Sequence, residues 1–198
     1  EGIARGGRLS RSLTRLDLSS NGVGPGGAAA MGAAIRASGC LRELVISRNL
    51  IGDAGAAELA SAVASSPSLT LLDLANNSIG PSGAASFGEA LAKGRLVDLN
   101  LSENAVLDAG AVSIAESLHE NTVLTALDLQ LTGMGDEGCV AMGRAVRCNR
   151  SLQRLVVTFP SADALMSMGT AIKDTPRCSP VVLEGPGTRL AEGAVGEA

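Results

Sequence analysis

Residues 69–91 read LTLLDLANNSIGPSGAASFGEAL. Leu72 and Leu74 alternate with Leu71, Asp73 and Ala75, the period of two that gives a short strand one buried face and one wet face. A Gly-Pro turn follows Asn77, and Gly83, Phe87 and Leu91 then recur at helical spacing. Strand, glycine turn and helix in that order also open a dinucleotide-binding fold. At residues 17–27, DLSSNGVGPGG, the spacing Gly22-x-Gly24-x-x-Gly27 matches the pyrophosphate pattern, and Glu43 lies near the offset of a ribose-binding acid. The choice turns on whether the pattern is unique.

It is not. Units begin at Leu13, Leu41, Leu69, Leu96, Leu124, Leu152 and, in worn form, Cys178, at intervals of 28, 28, 27, 28, 28 and 26 residues. Each follows L-x-x-L-x-L-x-x-N, an apolar residue, then G-x-x-G-A-x-x-L-x-x-A-L. The segments GPGG, GDAG, GPSG, LDAG and GDEG occupy equivalent places in the first five units, so Gly24 and Gly27 are repeat punctuation, whereas a nucleotide would need one site. No cofactor is expected.

The pattern is identified as a leucine-rich repeat, and a period near 28 with a helical second half resembles the ribonuclease-inhibitor-like class, over roughly residues 13–186. The regular Asn21, Asn49, Asn77 and Asn104 are similar to repeats of NOD-like receptors, Ran GTPase-activating proteins and axonemal proteins. Ribonuclease inhibitor itself alternates two repeat types and grips with Trp and Tyr, which this chain lacks. The resemblance implies an α/β solenoid: a right-handed β-α superhelix of about seven repeats, forming a single domain over residues 1–198, with a curved parallel sheet on the concave side and helices on the convex side. Strands stack at about 4.8 Å and helices at roughly 8–10 Å, so the array bends by on the order of 20° per repeat. The asparagines are expected to turn inward as a ladder, bonding backbone groups of the turns; that ladder fails at Thr132, Pro160 and Pro186. Pro25, Asp53, Pro81, Asp108 and Asp136 share one slot, which suits the first turn of a helix. The sequence opens at Glu1 without a Met, and a fragment of a longer chain is expected.

Composition narrows the function. A net charge of −4, no stripe of Lys or Arg and only two aromatic residues, Phe87 and Phe159, argue against nucleic acid. No apolar run is long enough to span a membrane. Cys40, Cys139, Cys148 and Cys178 form no C-x-x-C pair, and the single His119 completes no metal set. Reduced thiols in a cytoplasmic protein, cytoskeletal or axonemal as a variant, are expected. His119 falls at a helix end beside Glu120, Ser102 and Asp128 have no histidine partner, and no catalytic residue is identified.

The concave positions follow from the register. A middle column runs Asp17, Val45, Asp73, Asn100, Asp128, Val156, Val182, and a flanking column Arg15, Glu43, Leu71, Asp98, Ala126, Arg154, Pro180. The charged and polar members, Arg15, Asp17, Glu43, Asp73, Asp98, Asn100, Asp128 and Arg154, form a partly acidic surface for a protein partner. Leu131, Val156, Phe159 and Val182 make a second, apolar candidate patch. The expected function is a non-catalytic protein–protein interaction scaffold whose partner carries a basic or apolar segment, acting as a subunit of a larger complex. Regulation of a small GTPase, as in Ran GTPase activators, and the sensor domain of a NOD-like receptor are the alternatives that the resemblance offers.

Overall fold

The computed structural model describes residues 12–173, 182–185 and 188–191. Each unit contributes one short strand: β1 Arg15–Asp17, β2 Glu43–Val45, β3 Leu71–Asp73, β4 Asp98–Asn100, β5 Ala126–Leu129, β6 Arg154–Val157 and β7 Val182–Gly185. Between them lie α1 Pro25–Ala37, α2 Gly52–Ser65, α3 Pro81–Leu91, α4 Leu107–Leu118, α5 Asp136–Cys148 and α6 Ala162–Lys173. The strands stand side by side in chain order, β1 to β7 all parallel, and each helix from α1 to α6 packs against the next. A final strand, β8 Thr188–Ala191, turns back antiparallel on β7.

The register is constant. Leu16, Leu44, Leu72, Leu99, Leu127, Leu155 and Leu183 align across the sheet, and those from Leu44 to Leu155 are fully buried. This corrects the last unit. Leu183 lies 28 residues after Leu155, so the unit begins near residue 180 instead of 178, and Val182 belongs to the flanking column opposite Arg154. Glu184 takes the middle place opposite Val156. A single core residue in "VVLE" left two registers open on sequence alone. Cys178, Pro180 and Pro186 lie outside the described residues.

Because the core must be made from small side chains, the helices approach closely. An added Cβ on Gly32 would stand 3.0 Å from the Glu58 carbonyl oxygen, and one on Gly88 would stand 2.9 Å from that of Ser113. Phe87, fully buried, is the one large aromatic in this interior.

The asparagine ladder is present, but the units that it joins are of two kinds. In the first and third units the backbone turns left-handed right after the asparagine, at Gly22 (φ 63°) and Ser78 (φ 56°). That turn aims two N–H groups at the next unit: Asn21 and Val23 donate to Asn49 Oδ1 at 3.0 and 2.9 Å, and Asn77 and Ile79 donate to Asn104 Oδ1 at 2.9 and 3.0 Å. In the second and fourth units the left-handed residue comes two places later, at Gly52 (φ 60°) and Leu107 (φ 54°). Their N–H groups go to the backbone carbonyls of Asn77 and Thr132, each at 3.0 Å. An aspartate makes the side-chain link there: Asp53 Oδ1 accepts from Gly80 and Gly83 N–H at 2.6 and 3.0 Å, and Asp108 Oδ1 from Gly135 and Gly138 N–H at 2.7 and 2.8 Å. These aspartates therefore sit at the N-terminus of the following helix as well as in the first turn of their own. Asparagine-locked and aspartate-locked junctions alternate over the first four junctions; at the fifth the asparagine's place is taken by Pro160.

One atom records the alternation. Asn77 Oδ1 is buried and accepts no hydrogen bond, because the second unit's turn sends its N–H groups elsewhere. At the equivalent place in the fifth unit stands Thr132, with no amide oxygen to strand; its hydroxyl donates to the Leu129 carbonyl at 2.8 Å. The apparent failure of the ladder at Thr132 is thus a residue that fits its junction.

A second buried polar row closes the turns from helix back to strand. Ser38 and Ser66 hydroxyls accept from Leu41 and Leu69 N–H, and Asn121 and Asn149 do the same for Leu124 and Leu152 while donating to Leu91 and Leu118 carbonyls of the preceding unit. The signal was a serine or asparagine three residues before Leu41, Leu69, Leu124 and Leu152; Lys93 stands in that place before Leu96 and obscured it.

Candidate functional site

Along the outward middle column, Asp17, Asp73, Asn100 and Asp128 each accept the N–H of the residue two places on, at 2.9 Å. These side chains end the strand in an Asx turn, so part of the acidity of this column is structural. Asp17 also accepts the Ser19 hydroxyl at 2.7 Å, and these bonds hold its carboxyl below the usual carboxylate value.

The flanking column behaves differently. Arg15 and Glu43 form an exposed ion pair at 3.0 Å, worth little by itself in water. Asp98 is half-buried on β4, aligned between Leu71 and Ala126, and accepts no hydrogen bond among the described residues. Burial raises its pKa; Arg154, two strands away, opposes that, and Asp73 and Asp128 add to it. Asp98 ends no strand, and the opposing charge that acts on it is that of Arg154.

The two shifts have opposite signs. For Asp17, with its folded value below the ordinary 3.8, the stabilisation is present above the unfolded value and is lost as pH falls through the folded one. For Asp98, with its folded value above 3.8, ionisation disfavours the fold, and the penalty disappears as acidification protonates the group. Carboxyl NMR titration is expected to place Asp98 above and Asp17 below the unfolded reference; the reverse order contradicts the geometry.

The apolar candidates do not assemble into one open patch. Leu131 is 56% exposed and holds a left-handed backbone, φ 54°. Phe159, in the equivalent slot of the next unit, is half-buried against the core. Val156 is only 5% exposed, in contrast to the half-exposed middle positions of β2 to β5, so β6 closes the face there. Val182 lies in the other column, as the register showed.

Three cysteines lie among the described residues, all free thiols. Cys139 is buried and its thiol is pushed up to about 11 by that burial, with Asp136 and Asp108 contributing. Peptide-resolved labelling of the folded chain is expected to modify Cys148 and Cys40 and to reach Cys139 only on unfolding; equal rates contradict the packing. His119 is exposed at the end of α4. Among the described residues no group of three or more His, Cys, Asp or Glu side chains could hold a metal ion, and no helix is long and apolar enough to cross a membrane.

A stack of strand–turn–helix units with leucine columns and inward asparagines is a leucine-rich-repeat solenoid, and this chain is a leucine-rich-repeat protein. The leucine-rich-repeat family model matches residues 9–32, 38–60, 65–88 and 120–143. Among solved structures, the tropomodulin C-terminal domain of Caenorhabditis elegans is similar at 16% identity and a TM-score of 0.56, over 87% of this chain and 88% of that one. Leiomodin-1 actin-binding site 2 is similar at 13% identity and a TM-score of 0.53, over 86% of this chain and 84% of that one. No curated protein matches the sequence.

Proposed function

We propose that this chain is a non-catalytic protein-binding module, working in the cytoplasm within a larger assembly, and that the concave sheet around Asp98 receives a basic segment of a protein partner. Asp98 carries this reading. The other acidic or asparagine side chains of the face end strands or, like Glu43, pair with a neighbour, whereas Asp98 is partly desolvated beside Asp73 and Asp128, accepts no hydrogen bond among the described residues, and has Arg154, two strands away, as its opposing charge. A side chain that disfavours its own fold is what a functional position looks like. A cation delivered by a partner would relieve that repulsion. The spacing of neighbouring strands, about 4.8 Å, lets one extended basic segment lie across several of them.

The leiomodin-1 fragment of similar fold is named for actin binding, which makes actin the first protein to assay. Binding of purified actin, and affinity capture from extract, are to be compared for the wild type and for Asp98→Asn combined with Asp128→Lys at low and high salt. The expected result is a captured protein whose binding falls with salt and with the substitutions, while melting shows the variant folded. Capture insensitive to both would remove the concave acidic face from consideration.

A further inference from the structure

We propose that Asn21–Gly22 is a self-modifying site, at which the asparagine converts spontaneously to aspartate and isoaspartate in the folded protein. The reaction needs three things together: an accessible side-chain amide, a following residue whose backbone nitrogen can reach it, and an N–H not held by another acceptor. Asn21 is exposed. Gly22 has φ 63°, with open space where a Cβ would stand, and its N–H makes no hydrogen bond among the described residues. A glycine nitrogen is the least hindered nucleophile that a chain offers.

The other asparagines each fail one condition. Asn49 and Asn104 are followed by Leu50 and Ala105, whose N–H groups donate to the Val23 and Ile79 carbonyls at 2.9 and 2.8 Å. Asn76 is exposed, but its successor's N–H is held by Asn104 Oδ1. Asn100 is followed by Leu101, whose N–H bonds the Asp128 carbonyl at 2.9 Å. Asn77, Asn121 and Asn149 are buried.

Gly22 N attacks Asn21 Cγ; the new N–Cγ bond forms as Cγ–Nδ2 breaks, and the amide proton of Gly22 leaves with the NH2 group as ammonia. Solvent water then opens the five-membered imide at either carbonyl, giving aspartate or isoaspartate, with no change of oxidation state. Either product adds a carboxylate just beyond β1, on the rim that already carries Asp17. Isoaspartate also lengthens the backbone by one carbon between the two N–H donors, Asn21 and Val23, that grip Asn49 Oδ1. The first asparagine-locked junction is the one that ages.

The test incubates the whole chain at neutral and mildly alkaline pH, maps peptides by mass, and labels isoaspartate with protein L-isoaspartyl methyltransferase and a radioactive methyl donor. A Gly22→Ser variant keeps the turn, since Ser78 holds the same left-handed place in the third unit. Conversion confined to residue 21, rising with pH, split between both acids and slowed severalfold by Gly22→Ser at unchanged melting temperature is the expected result. The proposal is overturned by no conversion at residue 21 over an interval in which the urea-unfolded chain converts, by conversion spread evenly over other asparagines, or by a rate that Gly22→Ser leaves unchanged.

Discussion

Asn104→Thr is expected to destabilise the protein by about 3 kcal/mol, whereas Asn77→Thr, the same exchange one rung away, changes stability by less than about 1 kcal/mol. The difference lies in the acceptors. Asn104 Oδ1 holds the buried N–H groups of Asn77 and Ile79, and a threonine hydroxyl following the geometry of Thr132 would leave both unbonded. Asn77 Oδ1 holds nothing. Its amide does donate to the Ile46, Leu74 and Ala75 carbonyls, but each keeps another partner: Asn49 Nδ2 on Ile46, Asn104 Nδ2 on Leu74, and Arg48 N–H on Ala75. A threonine hydroxyl can still reach Leu74, as Thr132 reaches Leu129. For a chain of this size about 3 kcal/mol lowers the melting temperature by roughly 6–12 °C, which separates the two variants in one experiment. Equal losses would mean that the two kinds of junction are energetically alike.

The second large effect is expected at Gly83. Its backbone is ordinary helix, so conformational freedom is not the issue; space is. A Cβ there would lie 2.7 Å from Asp53 Oδ1, 2.8 Å from Ile79 Cγ2 and 3.0 Å from Ala56 Cβ. Gly83→Ala must push α3 off α2 and stretch the bonds by which Asp53 holds the N–H groups of Gly80 and Gly83. Overpacking combined with a weakened cap amounts to a loss of about 2–4 kcal/mol, against a helix-propensity gain of at most about 1 kcal/mol. Gly27 holds the same place in the first unit, yet a Cβ there would meet only the side chain of Val23. Gly27→Ala should therefore be neutral or mildly stabilising by denaturant titration. A neutral Gly83→Ala would show that neighbouring helices can part without cost.

The repeat made the fold readable. Leucine spacing fixed strands, helices and the parallel order through β6, and the outward columns from Asp17 to Arg154 fall where the alternation puts them. Reading each unit as equivalent hid the alternation, because Asn21, Asn49, Asn77 and Asn104 look alike while their partners differ. The clue lay beside them: Gly22, Ser78 and Gly133 tolerate a left-handed backbone directly after the ladder residue, and Leu50 and Ala105 mark the other turn. The end of the sheet was less legible. One leucine, Leu183, could not fix a register, and nothing in the pattern announced that β8 would reverse direction. The apolar patch was misjudged for a physical reason: outward alternation states which way Val156 points but not whether anything covers it.

The role of the aspartates was mixed in a way that spacing alone could not separate. Asp17, Asp73 and Asp128 occupy the position that ends each strand, and the same chemistry is served by Asn100 without a charge. Asp98 differs only in standing two residues earlier, where no backbone N–H turns toward it.

Site-specific photo-crosslinking locates the binding surface whatever protein occupies it. A crosslinking residue is placed at Leu71 or Ala126, which flank Asp98 on the sheet, and, as the comparison, at Ala57 on the exposed face of α2. If the concave sheet around Asp98 is the docking surface, protein adducts form at positions 71 and 126, weaken with salt and vanish with Asp98→Asn, and none form at 57. Adducts confined to position 57, or untouched by the loss of the Asp98 charge, would contradict it.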